Sequence, residues 1–356
     1  MPKKPVITDS VAYDELVKLK LTGVDSTVLR CRMGYVKANQ ILTHYLNPIG
    51  EQTRIHPSFL PTQASGRWST TEYPVTNWPK QIRDIVVPDL GTYWIDADWD
   101  GIEARVVAAL SGDVEDLKAF EMGWDIHTLT ACGMYSMPLP PILTKKCHTD
   151  PSCEAWRQQW KPAWKGEGDK RRWLAKTTRF GLAYAVDERG VVHAKGIEES
   201  GLTVDKLIET GRLYLSSKPL LRRWKIATWD KVLRDREART FLGRRRKLFV
   251  SAADLKKWTA RIPPDCAKAG LNHIVQGSVA DMANRCIIDI TDSWPQCVLK
   301  QQRHDGFTFQ FPNEVDAWPE IRPMLERRWQ LTPEHSITST ASWSRINEDG
   351  ATVELR

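Results

Sequence analysis

The sequence lacks several features that would set its class at once. It has no run of 18 or more apolar residues, so no membrane-spanning helix and no membrane partner are expected. Its seven cysteines are scattered and odd in number, which argues against a disulfide framework and for reduced thiols in the cytoplasm. The first residues, M-P-K-K-P, precede no apolar core, so no secretory signal is expected. We also find no internal repeat and no low-complexity tract.

The composition is that of a globular protein longer than one typical domain. The chain has 356 residues, of which 41% are hydrophobic, and this is enough to bury a sizeable core. Lys and Arg number 51 against 44 Asp and Glu, for a formal net charge of +7. A modest basic excess fits a polyanionic partner, but an ordinary basic protein has the same balance.

Hydrophobic periodicity gives a coarse map of helices and strands. Helical patches occur at residues 11–21 and 36–45, and longer helices are predicted at 102–120, 169–186, 203–238 and 264–292. Strands are predicted at residues 93–98, 297–302 and 307–311. The density of Pro and Gly at residues 135–168 indicates a long irregular insertion.

Two aspartates lie at the ends of predicted strands. Asp98 ends the first strand, and Asp305 is followed by Gly306 between the last two, which is a strong hairpin signal. If the strands are neighbours, the two carboxylates converge and need a cation between them. Hard oxygen ligands of this kind suit Mg²⁺. Taken singly, each aspartate is better explained as an ordinary turn or surface residue.

The helix at residues 169–186 has a cationic and aromatic stripe. Arg172, Lys176, Phe180 and Tyr184 recur every four residues and therefore share one face. Such a face can hold a triphosphate and stack a base. Taken alone, the spacing is better explained by a solvated basic face beside a core stripe.

Two further groups of residues have the chemistry of nucleic-acid contacts. Lys268, Asn272 and Gln276 step by four along a later helix and could reach minor-groove acceptors. The basic run R-R-R-K at residues 244–247 could contact phosphates. Internal hydrogen bonds and a solvated charge run are the respective alternatives.

In order along the chain, these segments resemble the family A DNA polymerases, the bacterial DNA polymerase I type. Residues 64–69 (A-S-G-R-W-S) resemble the family's T-G-R-L-S segment, with Asn77 and Pro79 downstream. Residues 98–105 (D-W-D-G-I-E-A-R) resemble motif A, and residues 172–184 match motif B, R-x3-K-x3-F-G-x2-Y. Residues 241–246 and 272–281 resemble L-F-G-R-R-R and N-x-x-V-Q-G-T-A-A-D, and His304-Asp305 matches the start of motif C, H-D-E. Six motifs in the right order are a specific signal.

The resemblance implies an α+β, right-hand polymerase architecture with an antiparallel-sheet palm, helical fingers and a reduced thumb. We expect an N-terminal helical region with the reduced thumb at 1–61 and palm at 62–134. Fingers with the insertion are expected at 135–238, and the rest of the palm at 239–356. The sixty residues before the first motif leave no room for an exonuclease domain, so we expect no proofreading. A short phage-like enzyme, in the host cytoplasm if phage-encoded, fits this reading.

The same resemblance implies roles for individual residues. Asp98, Asp305 and the backbone carbonyl of Trp99 would bind two Mg²⁺ ions, for which Mn²⁺ could substitute, and Lys176 would act with the two aspartates in catalysis. Deoxynucleoside triphosphates would contact a second set of residues, namely Arg172, Lys176, Phe180, Tyr184, Glu103 and His127. Primer-template DNA would contact a third set, namely Arg67, Asn77, Arg244, Arg245, Lys268, Asn272, Gln276 and His304. An accessory or processivity protein is a further expected partner.

Motif C departs from the family pattern, and this keeps other functions open. Gly306 stands where the family has Glu, and Asp100 replaces a Ser of motif A and could compensate. Arg179 and Ala185 replace Asn and Gly in motif B. One alternative is a DNA-binding pseudo-polymerase; another is a polymerase specialised for gap filling, lesion bypass or RNA templates. Cys147, His148 and Cys153 do not have a recognised zinc spacing, so free surface thiols are expected there.

Overall fold

The fold is organised around one antiparallel sheet. The computed structural model describes residue 16 and residues 27–160, 170–184, 203–260 and 262–355, apart from a few side chains that include Phe180. The main sheet has the strand order β11-β10-β3-β7-β6. Its strands are β3 (Thr92–Trp99), β6 (Val298–Arg303), β7 (Gly306–Pro312), β10 (Ala341–Ile346) and β11 (Thr352–Leu355). The strands predicted at 93–98, 297–302 and 307–311 are confirmed, whereas β10 and β11 were not predicted.

Strict alternation along the central strands separates a core face from a functional face. In β3, residues 93, 95, 97 and 99 are buried, and they pair with the buried Phe311, Phe309 and Phe307 of β7. The rings of Trp99 and Phe307 meet edge to face, with centroids 5.0 Å apart. Successive side chains of a strand point to opposite faces, so Asp98 lies on the face opposite this core.

Helices cover the core face of the sheet and build a second apolar cluster beside it. The helices are α1 (Thr27–Ile41), α2 (Ile102–Ser111), α3 (Val114–Glu121), α4 (Ile126–Met134), α5 (Glu154–Trp160), α6 (Lys170–Tyr184), α7 (Val204–Ser216), α8 (Pro219–Asp235), α9 (Ala252–Thr259), α10 (Asp265–Ser293) and α11 (Trp318–Leu325). The long α10 and α2 pack on the sheet through residues such as Val279, Met282 and Val106. The second cluster joins α4, α6 and α7 to the segment before α5.

Two predicted helices are each interrupted, so those boundaries were wrong. The helix expected at 102–120 ends at Gly112, which adopts a left-handed conformation with φ of 69°. Asp113 then caps α3 by accepting a hydrogen bond from the Asp116 N–H. The helix expected at 203–238 breaks at Lys218, because Pro219 starts α8, and it gives way to strand at Glu237.

The other helix predictions agree with the structure where it describes the chain. Residues 36–45 fall in α1 and the π-helical Leu42–Leu46 that follows, and a one-turn helix at Asn47–Ile49 comes next. The patch at 11–21 lies outside the described residues except for Leu16. Helix α6 confirms most of 169–186, and α10 confirms 264–292. No helix in the described ranges is long and apolar enough to cross a membrane.

The insertion is more ordered than its composition indicated. Short 3₁₀ helices at Lys145–His148 and Pro151–Cys153 lead into α5, and residues 161–169 lie outside the described ranges. Cys147 and Cys153 are both fully buried, so the expectation of surface thiols was wrong. Among the described residues, no group of three or more potential metal-ligating side chains forms a cluster.

The remaining elements are short and lie around the main sheet. Residues Val75–Asn77 and Lys80–Ile85 form 3₁₀ helices before β3. Three two-stranded sheets complete the fold, namely β1 (Ser58–Leu60) with β2 (Ser69–Thr71), β4 (Glu237–Arg239) with β5 (Arg245–Lys247), and β8 (Arg328–Gln330) with β9 (Ser336–Thr338).

Candidate active site

The two sequence-predicted aspartates lie side by side at one end of the central strand pair. Asp98 is directly opposite Gly306 in the β3–β7 register, and Asp305 immediately precedes Gly306. The Trp99 N–H donates to the Asp305 carbonyl oxygen at 3.1 Å, which fixes the turn against the end of β3. His304 occupies that turn with a left-handed φ of 56° and an exposed side chain.

The electrostatics of Asp305 are those of a carboxylate that needs a cation. Burial and the charge of Asp98 raise the pKa of Asp305 to about 7. A carboxylate with such a pKa is stabilised in its ionised form by a nearby positive ion. Two converging carboxylates supply the oxygen ligands that Mg²⁺ and Mn²⁺ prefer. The donor set therefore fits a divalent cation at Asp98 and Asp305.

This pKa predicts a pH-dependent effect of Mg²⁺ on stability. The pKa of Asp305 is raised to about 7 in the folded chain and is about 4 when unfolded. This group therefore stabilises the fold below about pH 4, and the contribution is lost as the pH rises through about 7. Because Mg²⁺ favours the ionised carboxylate, it should raise the melting temperature at pH 8 and have little effect at pH 5. Thermal melts at both pH values, with and without Mg²⁺, test this.

Two substitutions separate the site from a general ion effect. Asp305→Asn should remove the Mg²⁺-dependent shift at pH 8, whereas Asp84→Asn, at an exposed position in the 3₁₀ helix before β3, should retain it. A Mg²⁺ effect of equal size at pH 5 and pH 8 in the unsubstituted protein would contradict the assignment.

Gly306 faces the Asp98 carboxylate. A Cβ atom at position 306 would lie 3.5 Å from Asp98 Oδ1 and 3.4 Å from the Ala97 carbonyl oxygen. A larger side chain here would therefore start beside the carboxylate pair, and its absence leaves more room next to Asp98. The Asp100 carboxylate accepts hydrogen bonds from Lys145 Nζ at 2.9 Å and Ser342 Oγ at 3.4 Å. Compensation by Asp100 for the missing motif C carboxylate remains a prediction.

Beside the aspartates, three segments distant in the chain meet around Glu103. Arg67 forms an ion pair with Glu103, and the Tyr184 hydroxyl donates to Glu103 Oε2 at 2.6 Å. Burial, together with the Glu103 charge and hydrogen bond, raises the pKa of Tyr184, which also hydrogen-bonds Gln276. The charges of Glu103 and Arg67 also act on Asp305, so this cluster adjoins the carboxylate pair. The structure thus brings together the predicted residues of motifs A and B, the Arg67 segment and α10.

The cationic face of α6 begins at a buried carboxylate. Arg172 Nη2 donates to Asp125 Oδ1 at 3.0 Å, and its Nε contacts the other carboxylate oxygen. Although burial opposes it, hydrogen bonds from His148 and Arg172 hold the pKa of Asp125 well below its usual range. One turn further along α6, Lys176 is exposed. The Phe180 side chain is not among those that the structure describes, so its predicted contact with the nucleotide stays a prediction.

His127, two residues after Asp125, has an uncharged imidazole at neutral pH. Burial, followed by the charges of Arg179 and Arg172, lowers the pKa of His127 to about 3. At neutral pH it can therefore offer a nucleotide a hydrogen bond but no positive charge.

Sequence reasoning missed a buried charge cluster that joins α6 to α3. Arg179 contacts Asp116 through both of its terminal nitrogens, and Lys218 Nζ lies 2.8 Å from Asp116 and 3.1 Å from Asp113. Arg179 is only 6% exposed, so it is an interior residue. The one local signal was Asp113, a helix cap after Gly112; its cationic partners come from elements far away in the chain.

The predicted DNA contacts divide into two groups. Arg244 is half-buried and held by the protein, since its Nε contacts Asp281 at 2.6 Å and its Nη2 donates to the Ser65 carbonyl oxygen at 2.6 Å. His273, not singled out from sequence, contacts the carbonyl oxygens of Ala64 and Arg244 at 3.1 and 3.2 Å. These contacts tie α10 to the segment that carries Arg67.

The second group remains open to a ligand. Arg245 and Asn77 are exposed, and among the described residues Lys268 forms an ion pair only with the nearby Asp265. The buried Asn272 Oδ1 accepts no hydrogen bond from the described residues. A buried acceptor of this kind calls for a ligand or water as partner, and Asn272 lies one turn before Gln276.

Comparison with known proteins agrees with this geometry. Residues 2–146 match the model of DNA polymerase family A. The thermostable DNA polymerase I of Thermus aquaticus is 25% identical over 321 residues, 87% of this chain and 32% of that protein. The corresponding enzyme of Thermus filiformis is 28% identical over 341 residues, 92% of this chain and 34% of that protein. The chain thus spans about a third of the length of the curated relatives that it matches.

A solved structure extends the likeness to the whole fold. The POL domain of Pol1 from M. smegmatis, in complex with DNA primer-template and dNTP, aligns with a TM-score of 0.69 at 23% identity. The alignment covers 96% of this chain and 57% of the other. The expected α+β polymerase architecture is confirmed by this match. The chain is thus similar to the family A DNA polymerases, and it has the fold of their polymerase domain.

Proposed function

We propose that this chain is a template-directed DNA polymerase that adds deoxynucleotides to a primer 3′ end. One observation carries the proposal: Asp98 and Asp305 lie at one end of the sheet, next to the ion pair of Glu103 with Arg67. The carboxylate pair would bind metal ions. Beside it, Glu103 and Tyr184 would contact the sugar, and the helix α6 would supply cations for the phosphates. The solved relative in complex with primer-template and dNTP supports the same partners for this chain.

The residues have separable roles in this proposal. Asp98 and Asp305, with the Trp99 carbonyl, would hold two Mg²⁺ ions, which would supply Lewis-acid activation of the primer hydroxyl and charge stabilisation at the α-phosphate. Arg172 and Lys176 would contact the β- and γ-phosphates, and Lys176 would donate a proton to the leaving pyrophosphate. Tyr184, held by Glu103, would pack on the incoming sugar and base. Asn272, Gln276 and His304 would contact the primer-template end.

Primer extension tests the proposal directly. The purified chain should extend a primed DNA template with Mg²⁺ or Mn²⁺, and only when all components are present. A mismatched 3′ terminus incubated without nucleotides should stay intact, because we propose synthesis without proofreading. Tight binding of primer-template with no extension under either metal ion would favour the pseudo-polymerase alternative.

Glu103 should select against ribonucleotides. Its carboxylate is fixed by Arg67 and Tyr184 beside the metal site, where it would crowd a 2′-hydroxyl. Glu103→Ala should therefore reduce discrimination against ribonucleotides by roughly 10- to 200-fold, the range for one steric contact in a pocket. Incorporation ratios for ribo- and deoxynucleotides measure it.

A size-matched variant isolates the steric contribution of Glu103. Glu103→Gln keeps the side-chain size and can still accept the Tyr184 hydrogen bond, so discrimination should be retained. Equal loss in both variants would indicate that charge, not size, excludes the 2′-hydroxyl.

Asp125 should set the affinity for the nucleotide triphosphate through Arg172. Asp125→Asn removes the charge-assisted pair that orients the guanidinium, so KM for deoxynucleotides should rise about 10- to 100-fold with a smaller change in kcat. Steady-state kinetics on a fixed primer-template measure this split. Asp150→Asn, which removes a carboxylate charge in the same region but can still cap its turn, should leave KM unchanged. A fall in kcat alone would argue against a positioning role for Asp125.

A further inference from the structure

The β4–β5 hairpin presents a row of cations to solvent. Glu237 pairs with Lys247 in the register, and Arg239 pairs with Arg245. Arg239, Arg245 and Lys247 are exposed, whereas Ala238 between them is only 3% exposed and faces inward. Because strand side chains alternate between faces, the outward face of this hairpin carries three cations and one carboxylate.

Phe249 continues this row beyond the end of β5. The Leu248 N–H donates to the Arg236 carbonyl oxygen at 2.9 Å, which extends the strand pairing by one step. Val250, the next residue, is 5% exposed, and Phe249 itself is 85% exposed. An aromatic ring thus lies in solvent two residues after Lys247.

The row starts next to the candidate active site. Arg244, at the first end of β5, donates to the Ser65 carbonyl oxygen at 2.6 Å, and Arg67 two residues later is paired with Glu103. From Arg245 to Phe249 the chain advances roughly 13 Å at about 3.3 Å per residue. The row therefore begins beside the segment that carries Arg67 and extends about 13 Å along the chain from Arg245.

The charge along the row is only partly neutralised by the protein. Glu237 lies 2.8 Å from Arg239 and 3.9 Å from Arg245, so one carboxylate serves two guanidinium groups. In the described part of the chain, Lys247 and Arg236 have no ion-pair partner. Uncompensated cations at regular spacing are suited to successive phosphates.

We propose that Arg239, Arg245, Lys247 and Phe249, the hairpin row, bind the unpaired template strand, with Phe249 stacking on one base. Cations that follow a backbone and an aromatic ring that stacks a base are the common mode of single-strand binding. In a duplex each base is already stacked on its neighbours, so an exposed ring gains a stacking partner only from an unpaired base. The identification of that strand as template rests on the proposed polymerase function.

The test compares two DNA ligands and three substitutions of one residue. Fluorescence anisotropy would measure binding of a primer-template with a 5′ template overhang and of a blunt duplex of the same paired sequence. Phe249→Ala and Phe249→Leu should weaken overhang binding by about 5- to 100-fold, and blunt-duplex binding should not change. Phe249→Trp keeps an aromatic face and should bind as the unsubstituted protein does.

Two further variants complete the design. Lys247→Ala should weaken overhang binding and reduce the slope of log affinity against log salt by about 1. Leu90→Ala, at a residue that is 91% exposed, removes an equally exposed apolar side chain and should leave binding unchanged. Because the Phe249 ring is mostly exposed, its removal should not alter the melting temperature. An unchanged melting temperature would show that weaker binding is not caused by misfolding.

The outcomes separate this inference from the proposed function. Unchanged overhang binding in Phe249→Ala and Phe249→Leu, or equal losses on blunt and overhang DNA, would overturn the stacking role even if the chain extends primers. Selective loss of overhang binding by a chain that does not extend primers would uphold the single-strand site and overturn the polymerase proposal.

Discussion

Asp98→Ala and Asp305→Ala should each lower the rate of primer extension by at least about 10³-fold, with DNA binding largely retained. Each substitution removes half of the carboxylate pair at the end of β3 and β7, and one carboxylate cannot fix two cations. The loss should appear in single-turnover incorporation, where the chemical step is measured apart from binding. Primer-template affinity, measured in parallel, should change little because neither side chain contacts phosphates.

Asp96→Asn is the matched control for these two variants. Asp96 lies on the same strand and the same face as Asp98, but its carboxylate accepts a hydrogen bond from Thr308 Oγ1 at 2.6 Å. Its position two residues away, about 6.6 Å along the strand, keeps it out of the proposed metal pair, so extension should stay near normal. Near-normal turnover in Asp98→Ala or Asp305→Ala would show that the metal assignment is wrong.

Lys176→Ala should slow nucleotide incorporation by about 10²- to 10⁴-fold, with a smaller change in primer affinity. The ammonium group lies on the exposed face of α6, one turn after Arg172, where it would meet charge that develops on the pyrophosphate. An interaction that strengthens in the transition state acts mainly on the rate. Rapid-quench measurements at saturating nucleotide isolate that rate.

Two control variants define what Lys176 contributes. Lys176→Arg retains the charge, but the pKa of a guanidinium is above 12. If Lys176 donates a proton, this variant should bind nucleotide normally but incorporate it slowly. Lys206→Ala removes an exposed lysine of α7 that pairs with Glu209, and it should have no effect. Weaker primer binding with unchanged incorporation in Lys176→Ala would contradict the assigned role.

The sequence alone predicted most of the local elements and the candidate residues of the site. The alternation in β3 and β7, the Asp-Gly turn and the four-residue spacing on α6 each depend on neighbours in the chain. The relation of Asp98 to Asp305 also followed, once the two strands were taken as neighbours, and the structure confirms that pairing. The motifs added the resemblance to the family A DNA polymerases, because six motifs in the right order are a specific signal.

Only the tertiary structure decided which of the polar side chains are free to act. Arg179, Arg244 and Arg245 look alike in sequence, yet Arg179 is buried against Asp116, Arg244 is held by Asp281, and Arg245 is exposed. Likewise, nothing local indicated that β10 would pair with β3, or that Asp125 would hold Arg172. The contacts of Arg179, Arg244 and Arg172 each join residues at least 37 positions apart, and charge pairing across such separations leaves no periodic trace in the sequence. Burial then makes the pairing obligatory, because an unpaired charge in the interior is costly.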